Sequence, residues 1–327
     1  MALMLFFTTS LMAQVTTSSI NGKVVAGGET VIGATVTAVH VPSGTTYNAV
    51  TNTDGRYTIQ GMRVGGPYKV TISYIGFKDD NRTNIFLALG EPTVINADMK
   101  EDAKTLTEVT VTGRAGHGGN GAASNFSKQM IENAPTVDRN VYDVAKLSPL
   151  VNNNKFGGIS IAGTNNRYNS FQIDGMVSND VFGLTSSGTN GGQTGANPIS
   201  MDAIEQIQVA VSPFDVRQSG FTGGAINAIT KSGTNKFTGT AFTYYTDENL
   251  YGRYSQVYKK TQKLSDESTK TYGFTFGGPI IKDKLFFFTS LEYKKNSYPS
   301  TYYAGAPGYF MNTQTAQQLV DIYKNIT

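Results

Sequence analysis

The sequence predicts a mainly β protein with an N-terminal β-sandwich, a central α+β region and the first strands of an incomplete β-barrel. Short runs of alternating apolar residues recur at a spacing of about 8–12 residues through the first hundred positions. Helical periodicity is confined to two short central segments. The last third carries longer strands in which aromatic and polar residues alternate.

The composition suits β-structure with many turns and excludes several function classes. Only 16% of residues are charged, whereas Gly occurs 36 times and Tyr and Phe 18 times each. Without Cys there is no disulfide, thiolate metal site, thiol nucleophile or lipidated cysteine. A net charge of +3 without a Lys/Arg cluster argues against a nucleic-acid partner.

Residues 1–13 are predicted to be a secretory signal. The apolar run from Ala2 to Ala13 is shorter than the ~20 residues of a membrane-spanning helix, and a small residue precedes Gln14. The basic start of such a signal is missing, so we expect the true start upstream. The alternative is a buried first helix or strand.

Residues 15–100 contain about seven alternating runs separated by Gly- and Pro-containing turns, which predicts a β-sandwich. Asp54-Gly55 between two runs predicts a hairpin. The expected inner-face residues are Val36, Ala38, Val70, Ile72 and Tyr74.

Residues 101–121 are predicted to be a linker that contains one strand-like segment, 106–112. Its residues are Leu106, Thr107, Glu108, Val109, Thr110, Val111 and Thr112. An unpaired strand edge can accept another protein's strand, so the 106–112 segment is a candidate handle for a partner. The alternative is an ordinary edge strand of the sandwich. The following Gly116, Gly118 and Gly121 lack the βαβ context of a dinucleotide site and favour a flexible linker.

Residues 122–233 are predicted to form the α+β region. Asn125 is expected to cap a helix over FSKQMIENA, and a second helix buries Val141, Val144 and Ala145. Strands are expected at GISIAG, NSFQIDG, IEQIQVAV and GGAINAIT. The long loop from Val181 to Pro198 lacks an apolar pattern, and such loops are usually functional or disordered.

Residues 234–327 have the pattern of the first strands of a transmembrane β-barrel. Tyr272, Phe274 and Phe276 alternate with small or polar residues. In the next run one face carries Leu285, Phe287, Leu291 and Tyr293, and the other carries Phe288, Ser290, Glu292 and Lys294. A soluble sandwich face is the alternative.

No catalytic or metal motif accompanies these patterns. His40 and His117 lie far apart in the sequence and neither begins a zinc-binding motif. A Ser-hydrolase elbow and a phosphate-binding loop are also missing. The sequence therefore predicts a protein that is not an enzyme and needs no cofactor.

Two resemblances refine this description. The run from Gly22 to Phe77 (NGKVV, VIGATVTA, TNTDGRYTI, YKVTISYIGFK) resembles the carboxypeptidase regulatory-like, or transthyretin-like, domain. Residues 158–176 and 200–237 resemble the plug domain of TonB-dependent outer-membrane receptors, and GGPIIKDKLFFFTSLEY resembles the family's first barrel strands. The amino-acid sequence of these segments is most similar to the Oar-like branch of the family found in Bacteroidetes. The plug-sheet motif falls on Ile173, Asp174, Gly175, Gly223, Gly224, Asn227 and Lys231.

The resemblance implies an outer-membrane receptor for TonB-energised uptake. The 106–112 segment then resembles the TonB box, periplasmic together with the N-terminal domain. Its partners would be the periplasmic domain of TonB, outer-membrane lipid and a surface lipoprotein. The substrate would be a glycan, a peptide or a metal chelate. Plugged barrels have about 22 strands, so we expect this chain to be an N-terminal fragment or a truncated product.

Two further expectations and two alternatives follow from the resemblance. Asp174, Arg167 and Arg217 are expected to pair within the plug, and the Val181–Pro198 loop is expected to face the substrate. The alternative functions are an Oar-like surface adhesion or matrix-interaction protein and a carbohydrate-binding sandwich module.

Overall fold

The fold is described from a computed structural model. It covers residues 16–101, 111–112, 122–136, 139–153, 158–185, 187–194, 196–211, 221–250, 254–255, 260–261, 266–298 and 311–326. The proposed signal at 1–13 and the glycine-rich stretch at 113–121 lie outside the described residues.

The first domain is a sandwich of two sheets. Its strands are β1 (Ser18–Ala26), β2 (Glu29–Thr30), β3 (Thr35–His40), β4 (Thr46–Val50), β5 (Arg56–Met62), β6 (Gly65–Ser73), β7 (Asp80–Leu87), β8 (Pro92–Val94), β9 (Ala97–Asp98) and β10 (Val111–Thr112). In one sheet, β1 pairs with β2 and β5 antiparallel and with β8 and β9 parallel. The other sheet has the order β10-β7-β6-β3-β4.

Alternate residues of these strands form the core, as the period of two predicts. Val36, Ala38, Val70 and Ile72 are fully buried. Tyr74 was predicted to join them, but β6 ends at Ser73 and the Tyr74 side chain is 36% exposed. Because Tyr74 follows the last residue of the strand, the alternation no longer decides which way it points.

The hairpin predicted at Asp54-Gly55 is wrong. A tight turn is present, with the Asn52 side chain accepting from the backbone N–H of Asp54 and Arg56. However, β4 pairs with β3 in one sheet and β5 pairs with β1 in the other. The turn therefore carries the chain from sheet to sheet, because each strand finds its partner elsewhere.

The second domain is an α+β plug. Its elements are β11 (Ala122–Ser127), α1 (Lys128–Glu132), α2 (Val141–Ala145), β12 (Val151–Asn153), β13 (Ile159–Ile161), β14 (Ser170–Ile173), β15 (Met176–Val177), β16 (Ile204–Val211) and β17 (Gly224–Thr230). Three short 3-10 turns lie at Asn166–Tyr168, Gly192–Thr194 and Met201–Ala203. The main sheet has the order β11-β16-β17-β14-β15.

One face of the plug sheet packs on the two helices. Val141, Val144 and Ala145 of α2 are fully buried, as predicted, and they share a cluster with Ile207 of β16. The expected cap at Asn125 is wrong, because Asn125 lies within β11 and α1 begins after Ser127. The side chain that caps a plug helix is Asn140, which accepts from the Tyr142 N–H at 3.1 Å.

The C-terminal region contributes a three-stranded sheet in the order β18 (Thr238–Asp247), β21 (Ser268–Ile281), β22 (Leu285–Ser297). A short pair, β19 (Tyr254–Ser255) and β20 (Lys260–Thr261), precedes β21, and helix α3 (Thr313–Ile326) follows β22. In β21 the aromatic Tyr272, Phe274 and Phe276 are exposed and Thr271 and Thr275 are buried, which is the alternation that the sequence predicts.

The chain divides into two compact units, Met1–Thr240 with Thr275–Leu291 and Ala241–Phe274 with Glu292–Thr327. The sandwich and the plug both belong to the first. No helix in the described part of the chain is long and apolar enough to cross a bilayer.

Candidate functional site

The 106–112 segment is described only at its last two residues. Leu106, Thr107, Glu108, Val109 and Thr110 lie outside the described residues. Val111 and Thr112 form β10, which pairs in parallel with β7 through Val111–Arg82 and Thr112–Thr83. For these two residues, this is the arrangement expected of an edge strand of the sandwich.

The Ile173-Asp174-Gly175 motif forms the turn between β14 and β15 and is tied to the end of β17. The backbone of Asp174 is in the left-handed region with a φ of 48°, and Gly175 has a φ of 79°. The Asp174 carboxylate accepts from the Thr230 backbone N–H at 2.9 Å and from the Thr230 hydroxyl at 2.7 Å. The Asp174 N–H donates to Ala228 O at 2.9 Å. The motif thus fastens one end of the plug sheet.

Gly223 and Gly224 occupy positions where the Cβ atom of any other residue would clash with a neighbouring side chain. A Cβ on Gly224 would lie 2.3 Å from Ile161 Cγ2, and a Cβ on Gly223 would lie 2.4 Å from Asn169 Oδ1. These glycines therefore permit a close approach between the start of β17 and the turn after β13.

Asn169 and Asn179 organise this approach, and the sequence motifs did not single them out. Asn169 Oδ1 accepts from the Gly224 N–H at 3.1 Å, and Asn169 Nδ2 donates to Ile159 O at 3.0 Å. Asn179 Oδ1 accepts from the Phe171 N–H at 2.7 Å, and its amide donates to Asn169 O at 3.1 Å. Both lie near the recognised IDG motif, but only the folded chain shows which asparagines bridge the segments.

The other two plug-motif residues anchor β17. Asn227 is 6% exposed and lies opposite Gln172 and Gln208 in the neighbouring strands. The Lys231 N–H donates to Ala203 O at 2.7 Å, and its ammonium lies 3.5 Å from Glu132 on α1. The motif residues thus serve the internal structure of the plug.

The expected pairing of Asp174 with Arg167 does not form. Arg167 donates to Gly183 O at 3.1 Å, whereas Asp174 bonds to Thr230. Arg217 lies outside the described residues. The Asp174 carboxylate is held here by the backbone N–H and the hydroxyl of Thr230, which bring no second charge into the site.

The Val181–Pro198 loop combines local order with exposed apolar side chains. Asp180 accepts from the backbone N–H of Phe182 at 3.1 Å and of Thr185 at 2.7 Å, and Tyr142 donates to Ser187 O at 3.1 Å. The loop also contains a 3-10 turn at Gly192–Thr194. Val181 and Phe182 are nevertheless more than 80% exposed.

The sandwich contacts the plug within the first unit. Gln208 Nε2 of β16 donates to Leu89 O at 2.6 Å in a buried position, and Asn125 Nδ2 donates to Glu91 Oε1 at 2.8 Å. Val64 and Leu89 of the sandwich form a small buried cluster with Ile229 of β17. The plug sheet therefore uses its second face to bind the preceding domain.

His40 is a structural residue of the sandwich. Its side chain is 4% exposed, and its Nδ1 lies 2.6 Å from Ser43 Oγ. Burial, together with the positive charge of Arg63, lowers the pKa of His40 to about 4. His117 lies outside the described residues, and no group of three potential metal ligands occurs among the described side chains.

A groove of about 830 Å³ lies on the sandwich. Its lining includes Lys23, Arg56, Arg82 and Asp98. The Arg82 guanidinium is engaged with Asp80 at 2.9 Å and with Asn96 O at 3.0 Å.

Three family profiles match the chain in succession. They are the carboxypeptidase regulatory-like domain at residues 19–100, the TonB-dependent receptor plug domain at 118–226 and an outer membrane beta barrel domain at 229–327. These matches account for the sandwich, the plug and the C-terminal sheet.

One relative with this similarity is a TonB-dependent transporter. The chain is 26% identical over 267 residues to the TonB-dependent transporter Oar of Myxococcus xanthus, across 77% of this chain and 24% of Oar. The chain thus spans about a quarter of that relative's length.

Among solved structures, the siderophore receptor PirA from Acinetobacter baumannii matches 53% of this chain and 24% of its own, with 26% identity and a TM-score of 0.41. The transporter YddB from Escherichia coli matches 56% and 27%, with 16% identity and a TM-score of 0.43.

The domain matches occupy most of the chain, and the plug match coincides with the sheet fastened by Asp174 and the paired glycines. The chain therefore carries a carboxypeptidase regulatory-like domain followed by a TonB-dependent receptor plug domain and a segment that matches an outer membrane beta barrel domain.

Proposed function

We propose that this chain supplies the coupling and plug end of an outer-membrane receptor for TonB-energised uptake. The observation that carries the proposal is the order of its parts. The strand-like 106–112 segment lies between a folded sandwich and a folded plug, and the plug begins with β11, the edge strand of its sheet.

The position of β11 supports a route for force from the segment to the plug. Its residues pair with β16 from Ala122–Val211 to Ser127–Gln206. A pull on the 106–112 segment reaches Ala122 first, so it acts at the end of an edge strand. An edge strand has one partner strand, and its release leaves the pairing of β16 with β17 in place. Plug displacement can therefore begin locally.

The proposed orientation places the sandwich and the 106–112 segment in the periplasm. The short turn between β21 and β22 is closed by Asn235, whose amide donates to Asp283 Oδ1 at 2.7 Å. The Asn235 N–H also donates to Pro42 O of the sandwich at 2.9 Å. Short barrel turns are typical of the periplasmic side, and this contact supports placing the sandwich there. The exposed aromatic residues of β21 would face lipid.

The Val181–Pro198 loop is the proposed substrate-facing part of the plug. Exposed Val181, Phe182 and Leu184 offer apolar contact area, and the turn around Asp180 holds them in place. The site supports recognition and no covalent chemistry. The substrate class remains a glycan, a peptide or a metal chelate, and a surface lipoprotein remains a proposed partner.

Site-directed cross-linking tests the proposal. The chain has no cysteine, so single cysteines at successive positions of the 106–112 segment can be paired with a cysteine in the receptor-binding strand of TonB. Disulfides at several of these positions, and none at control positions in 113–121, support strand addition. An adhesion protein would show no TonB cross-link at any position, and surface attachment would survive loss of TonB.

A further inference from the structure

The outer face of the first sandwich sheet carries two cations side by side. Val24 of β1 and Tyr57 of β5 belong to the core cluster. Lys23 and Arg56, one position away on each strand, therefore lie on the opposite face. They are direct partners in the antiparallel register of β1 and β5. Like charges directly opposite each other are destabilising in a sheet, and local conflicts of this kind are expected at functional sites.

Neither of these cations is neutralised within the described part of the chain. No described carboxylate forms an ion pair with Lys23 or Arg56. The third cation of the groove, Arg82, is paired with Asp80 at 2.9 Å. Asp98 also lines the groove, without an ion pair to either free cation among the described contacts. The groove therefore retains a net positive charge for a ligand.

Polar and apolar side chains continue the groove beside the two cations. In the next residue pair on this face, Asn21 lies opposite Thr58 on β5 and opposite Val94 on β8. All three line the groove of about 830 Å³. Residues two positions apart on a strand are separated by about 6.8 Å. A volume of this size accommodates a ligand of several residues, whereas a single inorganic anion would contact only the cations.

The composition of the groove favours a peptide as the ligand. The aromatic residue of the described lining, Tyr57, is 4% exposed, and its hydroxyl donates to Ile95 O at 2.8 Å. The described lining therefore offers no exposed ring on which a sugar could stack. A planar membrane surface would not reach the floor of a groove. Carboxylates of an acidic peptide can pair with the cations, and its backbone can bond to the Asn21 amide and the Thr58 hydroxyl.

We propose that this groove binds a short acidic peptide segment of a second protein, with Lys23 and Arg56 as the carboxylate-binding residues. Recognition of acidic motifs by clustered cations is a recurring mode of peptide binding. The bound carboxylates would relieve the repulsion between the two cations, which the fold alone leaves in place. Peptide binding at this groove does not depend on the coupling of the 106–112 segment to TonB.

Binding of a fluorescein-labelled pentaglutamate peptide to the full chain in detergent tests the proposal. Lys23→Gln with Arg56→Gln removes both cations of the groove. Lys69→Gln with Lys100→Gln is the matched control, because it removes the same charge from exposed sandwich positions outside the described lining. Labelled pentaglutamine measures peptide binding without charge. Inorganic phosphate and trigalacturonate serve as competitors, one a simple anion and the other an acidic glycan.

The groove variant should bind pentaglutamate at least tenfold more weakly than the unsubstituted chain, and the control variant should bind it within twofold. Binding should also weaken as the salt concentration rises, because salt screens exposed charges. The proposal is overturned if the unsubstituted chain does not bind pentaglutamate, if both double variants bind it equally, or if pentaglutamine binds as tightly. Displacement of the peptide by an equal concentration of phosphate or trigalacturonate would overturn it in favour of an anion or glycan site.

Arg56→Glu separates a ligand-binding role from a structural one. This substitution places opposite charges across the pair, which stabilises a sheet where like charges destabilise it. Hydrogen exchange of the β1 and β5 amides should therefore slow by about one and a half to fivefold, while pentaglutamate binding is lost. Faster exchange would mean that the Arg56 cation supports the fold, and retained peptide binding would mean that it does not contact the ligand. Either result overturns the proposal.

Discussion

Replacing Gly224 with Ala should loosen the plug sheet through a single steric conflict. The new Cβ would lie 2.3 Å from Cγ2, 2.8 Å from Cβ and 2.9 Å from Cδ1 of Ile161, which is fully buried. Favourable carbon contacts lie near 3.5–4.0 Å, so β17 or β13 must shift. Overpacking of this kind costs about 1–3 kcal/mol.

A second substitution shows whether Ile161 is the cause. Ile161→Ala alone should cost about 2–5 kcal/mol because it leaves a cavity. In the double variant the conflicts with Cγ2 and Cδ1 of Ile161 are removed, and only the contact with its Cβ at 2.8 Å remains. The combined loss should therefore fall short of the sum by about 1–2 kcal/mol, within the usual range for residues in contact. Gly163→Ala is the control, because nothing lies within 4 Å of its Cβ position and its penalty comes from a φ of 82°.

Native-state hydrogen exchange of the β17 amides is the appropriate assay. It reports the local free energy of opening, whereas global unfolding of a multidomain chain is not two-state. The expected result is faster exchange in each single variant and, in the double variant, a combined effect smaller than the sum of the two, whereas Gly163→Ala and Ile161→Ala should simply add. Strict additivity of the two plug substitutions would refute the steric account.

Three further predictions concern other parts of the molecule. Asp174→Ala loses both hydrogen bonds to Thr230 and leaves a strained alanine at a φ of 48°, so it should destabilise the turn by about 2–3 kcal/mol. Asp174→Gly loses the same bonds without the strain and should cost about 1 kcal/mol less. Hydrogen exchange of the Thr230 amide measures the difference between the two variants. His40, with a folded pKa of about 4 against an ordinary 6.5, binds its proton more readily in the unfolded chain. Stability is therefore complete above pH 6.5 and falls by at most about 3 kcal/mol toward pH 4, and pH-dependent denaturation of His40→Gln should lose that component. Deleting Val181–Pro198 should abolish ligand binding while the remaining plug amides stay protected, and unchanged binding would remove the loop from the site.

The strands were predictable because burial on one face imposes a period of two on the sequence. The sandwich strands and the alternation along β21 follow from that rule. Strand β16 is covered on both faces, so its burial shows no such alternation. The same rule gives no information where a strand ends, which is why Tyr74 was misplaced. It also does not say which strands are partners, so Asp54-Gly55 could not be distinguished from a true hairpin turn.

The site was predictable as a motif and not as a set of contacts. Ile173-Asp174-Gly175 was identified from its resemblance, but an arginine partner was expected for Asp174 because unpaired charge is costly in a low-charge region. The fold instead brings in Thr230, 56 positions away. Asn125 has the residue type of a helix cap, yet strand pairing with Gln208 and the bond to Glu91 place it in β11. Long-range pairing overrode the local preference in both cases.

The affinity of the TonB periplasmic domain for the full chain carrying Val109→Pro measures directly whether TonB binds the 106–112 segment as a strand. Proline removes a backbone donor from the middle of the 106–112 segment. We expect at least a tenfold loss of TonB affinity for Val109→Pro, no loss for Gly118→Pro in the linker, and an unchanged unfolding transition of the sandwich. If Val109→Pro binds TonB with the affinity of the unsubstituted chain, or if the substitution unfolds the sandwich, the segment is an ordinary edge strand of the sandwich.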